Sequence, residues 1–362
     1  MKIIGDFFRR KMNIGRISQL HMPEDGPPVS ITRVLDHPRN VLIIPYNRMG
    51  TVLLATRVFK AFRECFEDAK ITVAVDRSWS ILIQNDPTID EVFTFGEEID
   101  NPHSRALQTM GNMLSERSYD LAFFLSYQFD TNMAYLTRLS QADVRISFRT
   151  KGDIPFFNVE LVPSSGNRYE VDRYLEMLHT LGLNGSIRDY TMSISEAILE
   201  KARTRYLTGI TSNRIVGFDL TREIVGSSIT KKQAESYISH LIQTTKATVV
   251  VFFEPGKKNL AATLKETFGR GIIVVEDRPA SMVAGMMSFC QFVVTHNTDL
   301  FQLSVALKTP TVSMLSGKEA IQWSPGENDH IRHVIKPNGS WPSPNDVLDA
   351  ARILIKDRKN AS

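Results

Sequence analysis

The 362-residue sequence predicts an α/β chain of two domains, each built on a parallel sheet. Three observations lead there. Short apolar runs alternate with stretches whose apolar residues fall at helical spacing, and that alternation makes parallel sheets covered by helices on both faces. It halts once, at a polar connection between Gly182 and Asp189, and then resumes with the same logic. The length is also too great for one core of ordinary size, so two domains are the natural division.

In chain order, residues 1–16 carry five basic side chains (Lys2, Arg9, Arg10, Lys11, Arg16) against Asp6, so the whole excess behind the net charge of +3 lies there. Interleaved with Ile3, Ile4, Phe7, Phe8, Met12 and Ile14, they suit a basic amphipathic segment on an anionic membrane surface. Gly5 and Gly15 weaken such a helix, which leaves a partner-binding or disordered tail equally open. Residues 21–40, with Pro23, Gly26-Pro27-Pro28 and His37-Pro38, read as a linker. Val41–Ile44 is a strand, Pro45–Gly50 a turn, and Leu53, Leu54, Val58, Ala61 and Phe62 mark one face of a helix. Gly50 lets the backbone approach a ligand closely, and Arg48 can meet a charged group. Further strands are expected at Lys70–Val75, after the loop from Asn85, and at Tyr119–Leu125. Helices are expected around Ala134 to Leu139 and over Tyr169–Leu183.

The second half offers strands at Ile215–Phe218, Ala247–Phe252 and Ile272–Val275. Helices are expected from Lys231, through Leu260, Leu264 and Phe268, and near Ser281–Ser288. The stretch Val293–Pro325 is the one to which the rest is referred. Its apolar run ends at Val294, turns through Thr295-His296-Asn297-Thr298-Asp299, and continues as a helix with Leu300, Leu303, Ala306 and Leu307. Asn297 or Thr298 suits the N-cap, with its side-chain oxygen on a free N–H of the first turn. A helix opening from the carboxyl end of a parallel strand presents unpaired N–H groups and partial positive charge, which suits a diphosphate; an ordinary βαβ unit without a ligand has the same geometry. The last helical pattern runs through Val347, Ala350, Ala351, Leu354 and Ile355. The domains expected are 1–40 (basic tail and linker), 41–185, 186–340, and 341–362 (C-terminal helix and tail).

Composition excludes several classes. No uninterrupted apolar run of about 18 residues exists to span a membrane, and the amino terminus lacks a signal-peptide core. Cys65 and Cys290 stand far apart without metal-ligand spacing, as reduced thiols of a cytosolic protein do. So small a net charge argues against nucleic acid as the main partner.

Two stretches carry a family resemblance. The frame Thr295, Thr298, Leu303, Ala306, Leu307, Pro310-Thr311-Val312, Trp323 and Pro325 resembles the C-terminal signature of glycosyltransferase family 9, the lipopolysaccharide heptosyltransferases. The run R-M-G-T-V-L-L-A-T from Arg48 resembles the family's opening turn and helix. The resemblance covers roughly Val41 to Pro325 and implies a GT-B architecture, two Rossmann-like domains facing a central cleft. The first would hold the acceptor and the second a nucleotide-sugar, ADP-linked in the family. It further implies inverting transfer of a heptose-like sugar to a lipopolysaccharide or other glycan or glycolipid acceptor, with neither cofactor nor metal. The place implied is the cytoplasm, with peripheral contact at the inner face of the membrane through residues 1–20. A C-terminal tail of this kind often packs back on the first domain.

The polar positions of the motifs depart from the family. Thr51 stands where the family has its catalytic aspartate, Asn297 where it has aspartate, Asp299 where it has a small residue, and Gln302 where it has histidine. Threonine does not take a proton near neutral pH as a carboxylate does. Ser228-Ile229-Thr230 matches a stretch that bears a basic residue in the family, so Arg222, Lys231 and Lys232 are candidates for that charge. Asp299 serves the dipole of its own helix and repels phosphate. His296 and Glu254 are candidates for a relocated base; Tyr127, Gln128 and Asp130 are candidates for the acceptor side. Arg48, Gly50, Arg222, Asn297, Thr298, Asp299 and Gln302 form the expected substrate-binding set. Two functions remain: a divergent transferase with an adapted site, or a catalytically inactive protein that keeps the fold for binding or scaffolding.

Overall fold

The structure, a computed structural model, describes residues 20, 22–96, 101–128, 130–149, 155–189, 192–210, 212, 214–221, 229–276, 279–336 and 340–361. The basic tail and Arg222 lie outside the described residues. The chain forms two compact units. The first comprises Met1–Asn47, Ala55–Ser165 and Val171–Arg188; the second comprises Arg48–Leu54, Gly166–Glu170 and Asp189–Ser362.

The first unit holds strands β1 (Asn40–Pro45), β2 (Lys70–Asp76), β3 (Glu91–Phe95), β4 (Leu121–Leu125), β5 (Val144–Phe148) and β6 (Val159–Leu161). They lie in the order β3-β2-β1-β4-β5-β6. Each pairing is parallel, Val41 standing opposite Ile71 on one side and Leu121 on the other. Runs such as Leu121–Leu125 are buried along their whole length, as central parallel strands must be. On one face Leu42, Ile44, Ala122 and Phe124 meet Leu107 and Leu114 of α3 (Arg105–Ser115) and Tyr135 and Leu136 of α4 (Thr131–Leu139). On the other, Phe62 of α2 (Met49–Cys65) meets the ring of Phe123 edge-on at 4.9 Å. Helix α5 (Glu170–Thr180) follows, and Arg188 is held to Asp86 by an ion pair and to the Arg57 carbonyl by its N–H.

The stretch expected to be a linker is structured. It carries α1 (Ile31–Asp36), whose Leu35 is buried, and Asp25 pairs with Arg138 and Arg145. Proline and glycine density obscured it, because the contacts that hold the segment are long-range.

The second unit repeats the plan with α6 (Glu196–Ala202), β7 (Ile215–Asp219), α7 (Lys231–Thr245), β8 (Thr248–Phe253), α8 (Lys258–Phe268), β9 (Ile272–Glu276) and α9 (Ala280–Ser288). It continues with β10 (Phe292–His296), α10 (Asp299–Ala306), β11 (Thr311–Leu315), α11 (Gly317–Trp323), β12 (Ile331–Ile335) and α12 (Pro344–Ala361). The order β12-β11-β10-β7-β8-β9, all parallel, is that of the first sheet, so both units are Rossmann sheets that reverse direction beside their first strand. Val347, Leu348, Ala351 and Leu354 of α12 are buried in the second unit's own core with Phe218, Tyr237 and Val294, and the Tyr237 hydroxyl donates to the Pro342 carbonyl. The apolar stripe of α12 is thus used within its own unit. Strands β5, β6 and β12 gave no clear periodic signal, since β6 is three residues long and β12 (IRHVI) mixes charge with apolar side chains.

Candidate functional site

In a sheet of this order the ligand crevice opens at the carboxyl ends of the strands where direction reverses, here β7 and β10. Asp219 ends β7 and His296 ends β10. The buried Asp219 carboxylate accepts from the Thr221 N–H at 2.9 Å and hydroxyl at 2.6 Å through one oxygen, and from the Thr298 hydroxyl through the other. Thr298 thus takes the N-cap backbone conformation of α10 but makes no side-chain cap bond, which corrects the capping expectation. Its hydroxyl serves the neighbouring strand instead.

Asn297, also expected as a cap, donates its amide to Glu319 at 2.9 Å. The other oxygen of Glu319 accepts from the Ser316 N–H at 2.7 Å, closing a capping box on α11. An aspartate at 297 would face this carboxylate, so the departure from the family residue is matched by its partner. Gln302, 6% exposed, donates to the Trp323 carbonyl at 2.7 Å and ties α10 to the end of α11.

Asp299 opens α10, yet its partners Arg48 and Gly50 lie elsewhere in the second unit, at the start of α2. One oxygen accepts from the Gly50 N–H at 3.2 Å and the other pairs with the Arg48 guanidinium at 3.3 Å. Gly50 is what permits this approach: a Cβ there would stand 2.7 Å from the Asp299 Oδ1 and 3.3 Å from its Cα. Asp299 was expected to serve its own helix dipole; it also stands at the amino end of α2, where a carboxylate is equally favoured, with its charge matched by Arg48. Thr51, one residue on, donates its hydroxyl to the Arg48 carbonyl at 2.9 Å and so closes the first turn of α2.

His296 is not on a loop. It is the last residue of β10, 0% exposed, with its ring edge-on to Trp341 at 5.2 Å. A base must reach an acceptor hydroxyl, so the expectation of His296 as a relocated base is corrected. Lys336, buried at the end of β12, lies over the Trp341 ring at 4.0 Å and supplies a cation at the same edge of the sheet. Neither Lys336, Trp341, Asp219 nor Glu319 was picked out in the sequence. Only S-x-x-E at Ser316–Glu319 had a recognisable signature.

The other candidates separate. Glu254 follows β8, two strands from β10, with its side chain half-buried. Lys231 opens α7 after a Thr230–Gln233 capping box and pairs with Glu235 at 3.7 Å on the surface; Lys232 beside it is exposed. Asp130 is the N-cap of α4, its Oδ1 accepting from the N–H groups of Asn132 and Met133 at 2.9 and 3.1 Å, while burial pushes its pKa up. Tyr127 lies under the Arg173 guanidinium at 4.1 Å, and the Gln128 carbonyl accepts from Ser126. Among the described residues no group of three His, Cys, Asp or Glu side chains is placed to hold a metal.

The two parallel six-stranded Rossmann sheets define the class: the fold is GT-B-like. No family model matches the sequence. In sequence the chain is 25% identical over 306 residues to lipopolysaccharide heptosyltransferase 3 of Escherichia coli, covering 78% of this chain and 85% of that one. In structure it resembles the glycosyl transferase family 9 protein of Veillonella parvula, with a TM-score of 0.74 at 17% identity, covering 89% of this chain and 99% of that one. E. coli ADP-heptose heptosyltransferase II follows with a TM-score of 0.70 at 17% identity, covering 88% and 99%. The chain is thus similar to glycosyltransferase family 9 proteins in fold and, more distantly, in sequence. Among the described residues no helix is long and apolar enough to cross a membrane.

Proposed function

We propose that the protein transfers a heptose-like sugar, with inversion, from a nucleotide-sugar to a lipopolysaccharide or related glycolipid acceptor, and that Asp299 supplies the base its family carries at position 51. One observation carries the assignment of the base: the Asp299 carboxylate accepts from the Gly50 N–H, one residue from Thr51. The carboxylate lost from the turn is regained from the facing helix. In the reaction Asp299 takes the proton of the acceptor hydroxyl as that oxygen attacks the anomeric carbon and the nucleoside diphosphate departs. Protonation loosens the pair with Arg48, whose guanidinium then faces the leaving diphosphate. The likeness to lipopolysaccharide heptosyltransferase 3 supports the substrate class, and an ADP-linked donor is the first to try.

The test is acceptor-dependent release of ADP from ADP-heptose in the presence of lipopolysaccharide lacking its outer core, with UDP- and GDP-sugars as controls. Calorimetric titration of ADP, UDP and GDP gives binding separately. Absence of release with every donor, despite saturable nucleotide binding, would sink the transferase reading.

A second reading is a binding protein without turnover. It is favoured by the closure of the corner, since Asn297 and Thr298 are each 2% exposed and both are committed to internal partners. Residues 1–20 then provide contact with an anionic membrane or a protein. Their removal should abolish flotation with anionic liposomes if the membrane is the partner, and unchanged flotation would exclude it.

A further inference from the structure

At the amino end of the first unit's sheet, opposite the carboxyl ends where Rossmann ligands sit, lies a cavity of about 620 Å³. Its floor is the end of α4 and the starts of β5 and β6, with Arg138, Gln141, Val144, Arg145 and Asn158; its roof is the extended segment from Glu24 to Val29. Two arginines point into one place there. Their side chains are 5% and 4% exposed, and both reach the same oxygen of Asp25, at 2.8 Å from Arg138 and 2.6 Å from Arg145.

Burying two guanidinium groups side by side is costly unless anionic charge meets them. Burial and the charge of Arg138 together press the Arg145 pKa below its ordinary value. Arg145 is otherwise anchored by the Phe156 and Ala142 carbonyls at 3.1 and 2.7 Å, and Arg138 by the Pro23 carbonyl, so neither can swing out to solvent without breaking those bonds. The carboxylate that answers them belongs to a side chain 65% exposed, on a segment without regular structure. The body of the protein therefore fixes Arg145, while the segment supplies both the Pro23 carbonyl that holds Arg138 and, at Asp25, a group that can leave. Gln141, in the left-handed position that ends α4 (φ 54°), also lines the cavity. Asp143 and Glu24 also line the cavity, and their exposed carboxylates limit the ligand's charge.

We propose that this cavity binds a small oxyanion, a phosphate or carboxylate group, on Arg138 and Arg145, and that Asp25 is the internal ligand that fills the fork in its absence. Pro27, Pro28, Val29 and Val159 give the space an apolar wall, so the ligand carries an apolar body beside its anionic group. Occupation displaces the Asp25 carboxylate and so couples the ligand to the chain that precedes β1. The proposal is independent of the transfer reaction.

The test uses the full chain with inorganic phosphate and acetate as probes and chloride at equal ionic strength as control. Asp25→Ala removes the internal competitor, so phosphate or acetate should bind at least ~10-fold tighter than to the unaltered chain, because apparent affinity scales with the fraction of free site. If Asp25→Ala is unstable, phosphate or acetate should restore its melting temperature more than it raises that of the unaltered chain, with chloride without effect. Gln141→Gly should keep the fold and weaken the binding. Which probe acts distinguishes phosphate from carboxylate as the recognised group. Binding indifferent to Asp25→Ala, or a destabilised Asp25→Ala that neither anion restores, would overturn the proposal.

Discussion

Replacing Asp299 with asparagine removes one charge and almost nothing else. The amide oxygen still accepts from the Gly50 N–H, while the ion pair with Arg48 is lost. That pair spans 3.3 Å between side chains 34% and 25% exposed, so solvent screens it and its loss costs about 0.5–1 kcal/mol. The melting temperature should fall by no more than ~2 °C. Binding should move the other way. A carboxylate about 5 Å from a phosphate charge opposes it by ~1 kcal/mol in watery surroundings and ~3 kcal/mol at an effective dielectric of about 20. With salt screening, ADP should bind roughly 5- to 30-fold tighter to Asp299→Asn. Turnover should fall by about 10²–10⁴, the usual contribution of a positioned base. Calorimetry, thermal unfolding and ADP release measure the three separately. The double variant Thr51→Asp with Asp299→Gly restores the family's arrangement and should recover activity. Unchanged turnover in a folded Asp299→Asn would refute the assignment of the base, and ADP binding no tighter than before would refute the electrostatic argument.

Asn297→Asp sets a second carboxylate against Glu319 and should cost ~1–3 kcal/mol at neutral pH, because a hydrogen bond becomes a repulsion. Since the shared site then holds a proton more readily folded than unfolded, the loss should shrink on acidification, as urea unfolding at pH 7 and pH 5 would reveal. Gly50→Ala brings a methyl within 2.7 Å of the Asp299 oxygen and should cost ~1–3 kcal/mol, an amount reduced when Asp299→Gly is combined with it. His333 lies between the hydroxyls of Ser313 at 2.6 Å and Ser324 at 3.0 Å, and burial lowers its pKa from 6.5. The unfolded chain therefore binds the proton first, so His333 contributes stability above pH 6.5 that is lost as pH falls towards the folded value. Melting curves of His333→Gln should lack that acid slope; an identical slope would place its origin elsewhere.

Much of this protein was written locally. The buried runs Ile215–Asp219, Thr248–Phe253 and Phe292–His296, and the helices after them, follow from apolar periodicity, which needs only a few neighbouring residues to be visible. Their alternation dictated parallel sheets, and the spaced motifs at Arg48 and Thr295 pointed to the family. The tertiary structure decided what the polar side chains do. Asp299 meets partners 249 and 251 residues away, Thr298 meets Asp219 at a separation of 79, and Asp25 reaches Arg145 across 120. A carboxylate in the first turn of a helix satisfies that helix wherever it points, so sequence alone cannot say whether it ends there or crosses to another turn. His296 reads as a loop histidine and lies sealed at a strand end for the same reason: burial is a property of what packs over a residue, and Trp341 arrives from the far end of the chain.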